Sequence, residues 1–344
     1  MIFLANDYNH GAHVAILDAL RETNGESYPG YGKDIWCERA AAAIKKHLNC
    51  PEAEVHFFEG GTQTNVTVIA AALRPYESVL SPDSGHINTH ETGAVEHAGH
   101  KIEALPATDG KITAKQIMAA ATAFNEATAP EHITEPKMVY ISQPTEYGTL
   151  YSLAELEEIR QVCDAYNLFL FIDGARLAYA LTSPACDMTL ADLARLTDVF
   201  YIGGTKCGAL LGEAAVIINP LLKPHFRNCI KQNNGLMAKG WLLGLQFYTL
   251  FKDDLYFTIN APANTYAEKI KQAFQKKGIM PYIDSPTNQQ FFVLTEAQIS
   301  KLATNFAFEI SNKIDANHKL VRFCTTWSTT ADEVEELSRA VAAL

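Results

Sequence analysis

Two short apolar runs that each stop at a charged residue narrow the possible folds more than any other feature of this chain. Phe169-Leu-Phe-Ile-Asp173-Gly-Ala-Arg176 carries the first and Phe200-Tyr-Ile-Gly203-Gly-Thr205-Lys206 the second. Residues 168–172 and 199–202 have no polar face, the pattern of strands covered on both sides in a parallel sheet. The stretch between them is long enough for one crossover connection. Strand-like runs recur at 54–58, 78–80, 102–105, 138–141 and 215–218, and helical spacing appears at 12–22, 37–48, 66–73, 153–166 and 190–196. That alternation predicts an α/β protein with a mostly parallel sheet clothed by helices.

At 344 residues the chain is longer than one domain usually is. Past Pro220 the pattern changes. Residues 234–251 and 261–277 read as helices, short strands flank the turn Asp284-Ser-Pro-Thr-Asn288, and 330–344 reads as the last helix. This predicts an N-terminal arm and large domain over 1–254 and a small α+β domain over 255–344, which the arm is a candidate to join. Apolar residues at 48% against 19% charged supply a sizeable core and argue against disorder. A net charge of −11 with no basic stripe excludes nucleic acid and anionic membranes as partners. No run approaches a membrane span, and the seven scattered cysteines form no C-x-x-C, which points to a reduced cytoplasmic protein.

Ligands of open α/β sheets bind where strands end, so Asp173 and Lys206 are expected to face one crevice. An acid that keeps a pyridine nitrogen protonated and a lysine that forms a Schiff base are what pyridoxal phosphate (PLP) requires of a protein. The competing reading of Asp173 is a helix N-cap, and that of Arg176 a salt bridge to Asp173 itself. Gly60-Gly61-Thr62-Gln63 joins a strand to a helix and offers backbone N–H groups to a phosphate, although a tight βα turn of this kind is common. His86, in a polar loop, suits stacking on a ring and proton transfer. Its neighbours His90 and Glu91 lack a metal-site pattern, so no metal is expected. Arg322, in Leu320-Val-Arg-Phe-Cys324, fits a carboxylate clamp or a surface ion pair equally well. Spacing alone does not assign Tyr31 or Lys231.

In their joint order, Pro29-Gly-Tyr-Gly32, Gly61-Thr-Gln-Thr-Asn65, His86 with Glu91-Thr-Gly93, Gln143-Pro-Thr-Glu-Tyr-Gly148, Asp173-Gly-Ala-Arg176 and Gly203-Gly-Thr-Lys-Cys-Gly208 resemble the fold-type-I PLP enzymes. More narrowly, they resemble the low-specificity L-threonine aldolase and β-eliminating lyase family. The resemblance implies a seven-stranded, mostly parallel sheet like that of aspartate aminotransferase. It implies that Lys206, His86 and Asp173 are catalytic. Gly61, Thr62, Gln63, Arg176, Thr205 and Lys231 would bind the cofactor together with them. Asn6, Tyr31, Thr145, Arg176 and Arg322 would meet the substrate. Thr145 stands where many members carry a His thought to contact the substrate hydroxyl. The implied reaction is retro-aldol cleavage of L-threonine, L-allo-threonine or related β-hydroxy-α-amino acids to glycine and an aldehyde. The implied assembly is a homodimer or homotetramer with shared sites, Tyr31 and Lys231 reaching a neighbour's. Two alternatives stand beside this reading: a PLP-dependent β-eliminating lyase or racemase on the same scaffold, and a nucleotide-binding regulatory module.

Overall fold

The computed structural model describes residues 1–344. A two-residue strand, β1 (Ile2–Phe3), opens the chain. Seven strands then build the large sheet: β2 (Glu54–Phe58), β3 (Glu77–Pro82), β4 (Lys101–Leu105), β5 (Glu135–Ser142), β6 (Phe169–Asp173), β7 (Val199–Gly203) and β8 (Glu213–Ile217). Their order is β2-β8-β7-β6-β5-β3-β4. β8 runs antiparallel to β2 and β7, and the pairings among β3 to β7 are parallel. Every strand expected from the sequence for this sheet is present, with ends shifted by a few residues.

Successive side chains leave a strand on opposite faces, and the core divides accordingly. On β6, Leu170 and Ile172 join a large cluster with Ile44, Leu156, Phe200 and Phe247. Phe171 faces the other way, into a cluster with Tyr140, Tyr201, Val68 and Phe226. Asp173 falls two residues beyond Phe171 and so emerges on that second face, opposite Ser142 of β5.

Helix ends follow local chemistry. Ser152 and Glu155 form a capping box at the start of Leu153–Tyr166, and Thr330 and Glu333 do the same for Ala331–Ala342. Two expectations change. The helix expected at 66–73 spans Gly61–Ala72, so the glycine pair is its N-cap and first residue rather than a separate loop. The helix expected at 234–251 spans only Trp241–Phe251. Asn234 is left-handed at φ 63°, and the N–H of Gly235 bonds back to the carbonyl of Ile230, which closes off the preceding helix Phe226–Gln232. Residues 233–240 then follow an irregular path that receives the N–H of Tyr31 on the carbonyl of Ala238.

The C-terminal region holds β9 (Gln289–Thr295), β10 (Phe306–Ala307), β11 (Glu309–Lys313) and β12 (His318–Cys324). β11, β12 and β9 form an antiparallel sheet, and β1 pairs in parallel with β10. Only one strand adjoins the turn at 284–288, not two. Before it, Pro281 makes a single bridge to Phe292, because a proline has no N–H to extend a ladder. Phe274 of helix Ala261–Lys276 stacks on Phe292 at 4.0 Å, in a core that also takes in Leu4 of the arm.

Candidate active site

The carboxyl ends of β2, β3, β5, β6 and β7 deliver the polar groups to one cavity. It is lined by Gly60, Gly61, Thr62, His86, Thr145, Asp173, Arg176, Thr205 and Lys206, together with Glu59, Ser142, Pro144, Glu146, Ala175, Tyr201 and Glu213. A second opening of the same cleft is lined by Tyr8, His86, His90, Glu146, Arg176, Lys206, Glu309 and Arg322. Asp173, Lys206, His86, Arg176 and Arg322 are thus gathered around one crevice by residues far apart in sequence.

Asp173 is buried and surrounded by donors. Its Oδ2 accepts from Tyr140 Oη at 2.6 Å and Asn65 Nδ2 at 3.1 Å. Its Oδ1 accepts from Tyr201 Oη at 2.6 Å and the N–H of Ala175 at 2.9 Å. Burial alone would raise its pKa, but His86 and the two phenols outweigh that and hold the carboxyl below its ordinary value. The phenols, raised well above theirs by burial and by Asp173, stay protonated as donors. The Ala175 bond is the local turn that an N-cap reading anticipates. The buried tyrosines are what turn it into a charged site.

Behind it runs a chain of side chains. Asn65 also donates to Glu91 Oε1 at 2.8 Å, and that same oxygen lies 2.7 Å from His86 Nδ1. Glu91 is fully buried at its side chain, so it fixes the imidazole and leaves Nε2 for the cleft. The His86 and His90 rings lie 5.4 Å apart.

Lys206 is half-buried, and desolvation followed by the neighbouring Arg176 charge lowers its ammonium pKa, favouring a nucleophilic amine. Arg176 does not pair with Asp173. It forms a two-pronged ion pair with Asp7 of the arm, Nε to Oδ2 at 2.6 Å and Nη2 to Oδ1 at 3.0 Å. Asn288 donates to the same carboxylate at 3.0 Å. Burial would raise Asp7, yet Arg176 and Lys206 hold it at about 2. Arg322 bonds to Gln289 Oε1 at 3.0 Å and the Ala5 carbonyl at 3.2 Å and pairs with Glu309, while its buried Nε has no partner. Glu213, fully buried beside Lys206, is pushed up to about 8 by burial.

The helix Gly61–Ala72 has no side-chain cap at Gly60, so its first N–H groups face the cavity as an anion site strengthened by the helix dipole. Thr205 adds a hydroxyl to the lining. Gln63 turns its amide away, to Glu59 at 3.1 Å and the Asn233 carbonyl at 3.4 Å, leaving only its backbone for this role. Thr145 lines the cavity, but its hydroxyl is joined to that of Thr149 at 2.7 Å. Asn6 accepts from the N–H of Tyr8, and Tyr8 is the arm residue that lines the cleft. Tyr31 and Lys231 lie outside the cleft, the ammonium 5.0 Å from the ring centre. Sequence reasoning did not single out Asp7, Asn65, Tyr140, Tyr201, Glu146 or Glu213, and weighed Glu91 only as a metal ligand. Asn65, Glu91, Glu146 and Tyr201 stood inside quoted motifs. The tyrosines are invisible until strand order places β5 and β7 on either side of β6.

This is the site of an α/β protein built like the aspartate aminotransferases. The Thermus thermophilus aspartate aminotransferase superposes with a TM-score of 0.72 at 14% identity, covering 100% of this chain and 91% of that one. Within that fold the chain belongs to the beta-eliminating lyase family, whose model matches residues 15–294, and to its threonine aldolase branch. A structure of threonine aldolase from Leishmania major matches with a TM-score of 0.97 and 44% identity over 100% of this chain and 99% of that one. The low specificity L-threonine aldolase of Pseudomonas aeruginosa is 28% identical over 98% of this chain and 96% of its own length.

The donor set fits PLP. A buried, ionised Asp173 answers a protonated pyridine nitrogen, Lys206 an aldehyde, and the uncapped helix start a phosphate. At Gly61 an added Cβ would come within 3.0 Å of Tyr201 Oη, so only a glycine leaves that wall of the cradle undisturbed.

Proposed function

We propose that the protein holds PLP in this crevice and cleaves L-threonine, L-allo-threonine or related β-hydroxy-α-amino acids to glycine and an aldehyde. The observation that carries the reading is the convergence of Asp173, Lys206 and His86 on one cavity whose floor is an uncapped helix start. Asp173 would face the ring nitrogen, Lys206 would hold the aldehyde carbon, His86 would pack on the ring, and Gly61, Thr62, Gln63 (through its backbone) and Thr205 would hold the phosphate. When bound, the cofactor withdraws the electron pair left when the Cα–Cβ bond breaks. The chain's own part is to orient and to move protons. Arg322, with an unpartnered Nε, and Arg176 supply positive charge for the substrate carboxylate.

The unpaired cysteines fit a reducing cytoplasm. No helix is long and apolar enough to cross a membrane. We further read the protein as a homodimer or homotetramer in which Tyr31 and Lys231, paired on the outer surface, complete a neighbour's site.

The test is a substrate panel with product identification: L-threonine, L-allo-threonine, phenylserine, serine and tyrosine. Glycine plus an aldehyde is the expected result, and Lys206→Ala is expected to abolish it. Ammonia plus a keto acid would favour the β-eliminating reading that the family description also accommodates. Aldehyde release at the wild-type rate by Lys206→Ala would end the proposal.

A further inference from the structure

Glu146 is the one carboxyl group common to every opening of the cleft. It lines the cavity that holds Asp173 and Lys206, the opening that holds Arg322 and Lys206, and the adjoining groove with His90, Tyr147 and Arg322. Its two oxygens are used unequally. Oε1 accepts from the N–H of His86 at 2.9 Å and from Ser142 Oγ at 2.7 Å. Oε2 is buried and has no partner within the chain. A buried carboxylate oxygen without a donor is costly, and because Glu146 lines all three openings, a ligand in the cleft is the nearest source of one. A β-hydroxyl is such a donor.

Of the other candidates in the cleft, Glu309 pairs with Arg322, the Thr145 hydroxyl is joined to Thr149, and His86, tied through Nδ1 to Glu91, keeps only Nε2, on a ring that the reading above packs against the cofactor. Gln289, fully buried, ties the two ends of the substrate site together. Its Nε2 donates to the Glu146 carbonyl at 3.3 Å and its Oε1 accepts from Arg322 at 3.0 Å. The loop that carries Glu146 is anchored further on, where Ser285 Oγ and Thr287 Oγ1 donate to the Gly148 carbonyl at 3.1 and 2.7 Å. Arg322 and Glu146 are therefore held at a fixed separation, as a clamp for the carboxylate and an acceptor for the hydroxyl of one small molecule would need to be.

We infer that Glu146 is the catalytic residue that takes the β-hydroxyl proton during cleavage, a role that rests on the retro-aldol reading above. The O–H bond breaks with its proton passing to Oε2, the oxygen's electron pair forms the aldehyde C=O, and the Cα–Cβ bond breaks with its pair remaining on Cα. A proton delivered to Cα by Lys206, with the Glu146 carboxyl releasing its own to solvent, completes glycine, so one proton is lost and one gained with no other reactant. Burial raises the Glu146 carboxyl above its ordinary value, Ser142 opposes the shift, and Asp173 adds to it. The titratable and charged groups around it in these openings are His86, His90, Glu59, Asp173, Arg176, Tyr201, Lys206, Glu213, Glu309, Arg322, Tyr8 and Tyr147.

The experiment compares the wild-type holoenzyme with Glu146→Gln, whose amide oxygen can still accept from Ser142 and His86. Two reactions are measured: aldehyde release from L-threonine, and exchange of the glycine α-hydrogen in D2O by NMR, which needs the cofactor and Lys206 but no hydroxyl. We expect aldehyde release to fall by roughly 10² to 10³ in kcat, within the span of general-base effects. Exchange and cofactor uptake should change by no more than about threefold, under half the free energy of a tenfold effect. The acid limb of the wild-type kcat profile should be missing from the variant. Cleavage within about fivefold of wild type, less than one factor of ten, would overturn the assignment. So would a parallel loss of exchange, which would mean that Glu146 only positions His86. Wild-type protein that exchanges glycine but releases no aldehyde from any panel member would instead sink the underlying reading, before any variant is made.

Discussion

Asp173 has four donors on its two oxygens, and Lys206 lies close enough to feel its charge. Glu213, buried like Asp173, behaves in the opposite way to it. It accepts the N–H of Gly204, and burial pushes it up to about 8. The sign of its effect on stability follows. Unfolded, it ionises near the ordinary glutamate range, while folded it keeps its proton to about 8. Between those values the folded state binds more protons, so this group's contribution to stability falls as pH rises. Glu213→Gln, which preserves the Gly204 bond, is expected to match the wild type near pH 5. At pH 9 it should exceed it by on the order of 4 kcal/mol, since each of the three tenfold steps between pH 5 and about 8 is worth about 1.4 kcal/mol. Thermal melts of the cofactor-free proteins at the two pH values check this, and parallel Tm curves would refute it.

The element that matters most is the helix Gly61–Ala72, and specifically its start. Its first residue packs against Tyr201 Oη, the hydroxyl that donates to Asp173. Gly61→Ala inserts a methyl 3.0 Å from that oxygen, so either the phenol or the helix start moves by a few tenths of an ångström. The expected result is a folded protein whose affinity for PLP falls roughly tenfold, the equivalent of about 1.4 kcal/mol, read by fluorescence titration. Unchanged affinity would show that the phosphate site lies elsewhere. The crossings beside it are tighter still. A Cβ on Gly174 would lie 1.9 Å from the Tyr201 carbonyl, and one on Gly203 would lie 2.2 Å from that of Ala175. The glycines after the two diagnostic strands are thus required by the approach of two backbones.

For the molecule as a whole, the crevice is a joint between regions. Asp7 of the arm is clamped by Arg176, just after β6, and Asn288, just before β9. Gln289 ties the Glu146 loop to Arg322. The arm's β1 is a strand partner of β10, so the first residues of the chain belong structurally with its last third. If Tyr31 and Lys231 serve a neighbouring subunit, mixing two inactive variants restores function. Lys206→Ala and Lys231→Ala, unfolded and refolded together, are expected to recover aldehyde release that neither shows alone. Mixtures as inactive as their components, with mixed oligomers verified by native mass spectrometry, would remove these residues from any shared site.

Local chemistry made much of this protein legible in its sequence. The doubly covered strands announced themselves because a strand buried on both faces must be apolar throughout, and Asp173 and Lys206 were conspicuous as charges ending such runs. The caps at Ser152 and Thr330 are equally local. What the linear chain does not contain is adjacency. Tyr140 and Tyr201 become donors to Asp173 only because β5 and β7 flank β6. Arg176 finds Asp7 rather than Asp173, and Glu146 keeps an oxygen without a partner while the Thr145 hydroxyl is joined to Thr149. Those outcomes depend on strand order, on which face each residue takes, and on burial that strips charges of water. All three are properties of the folded arrangement, because the strength of an electrostatic interaction is set by what surrounds it.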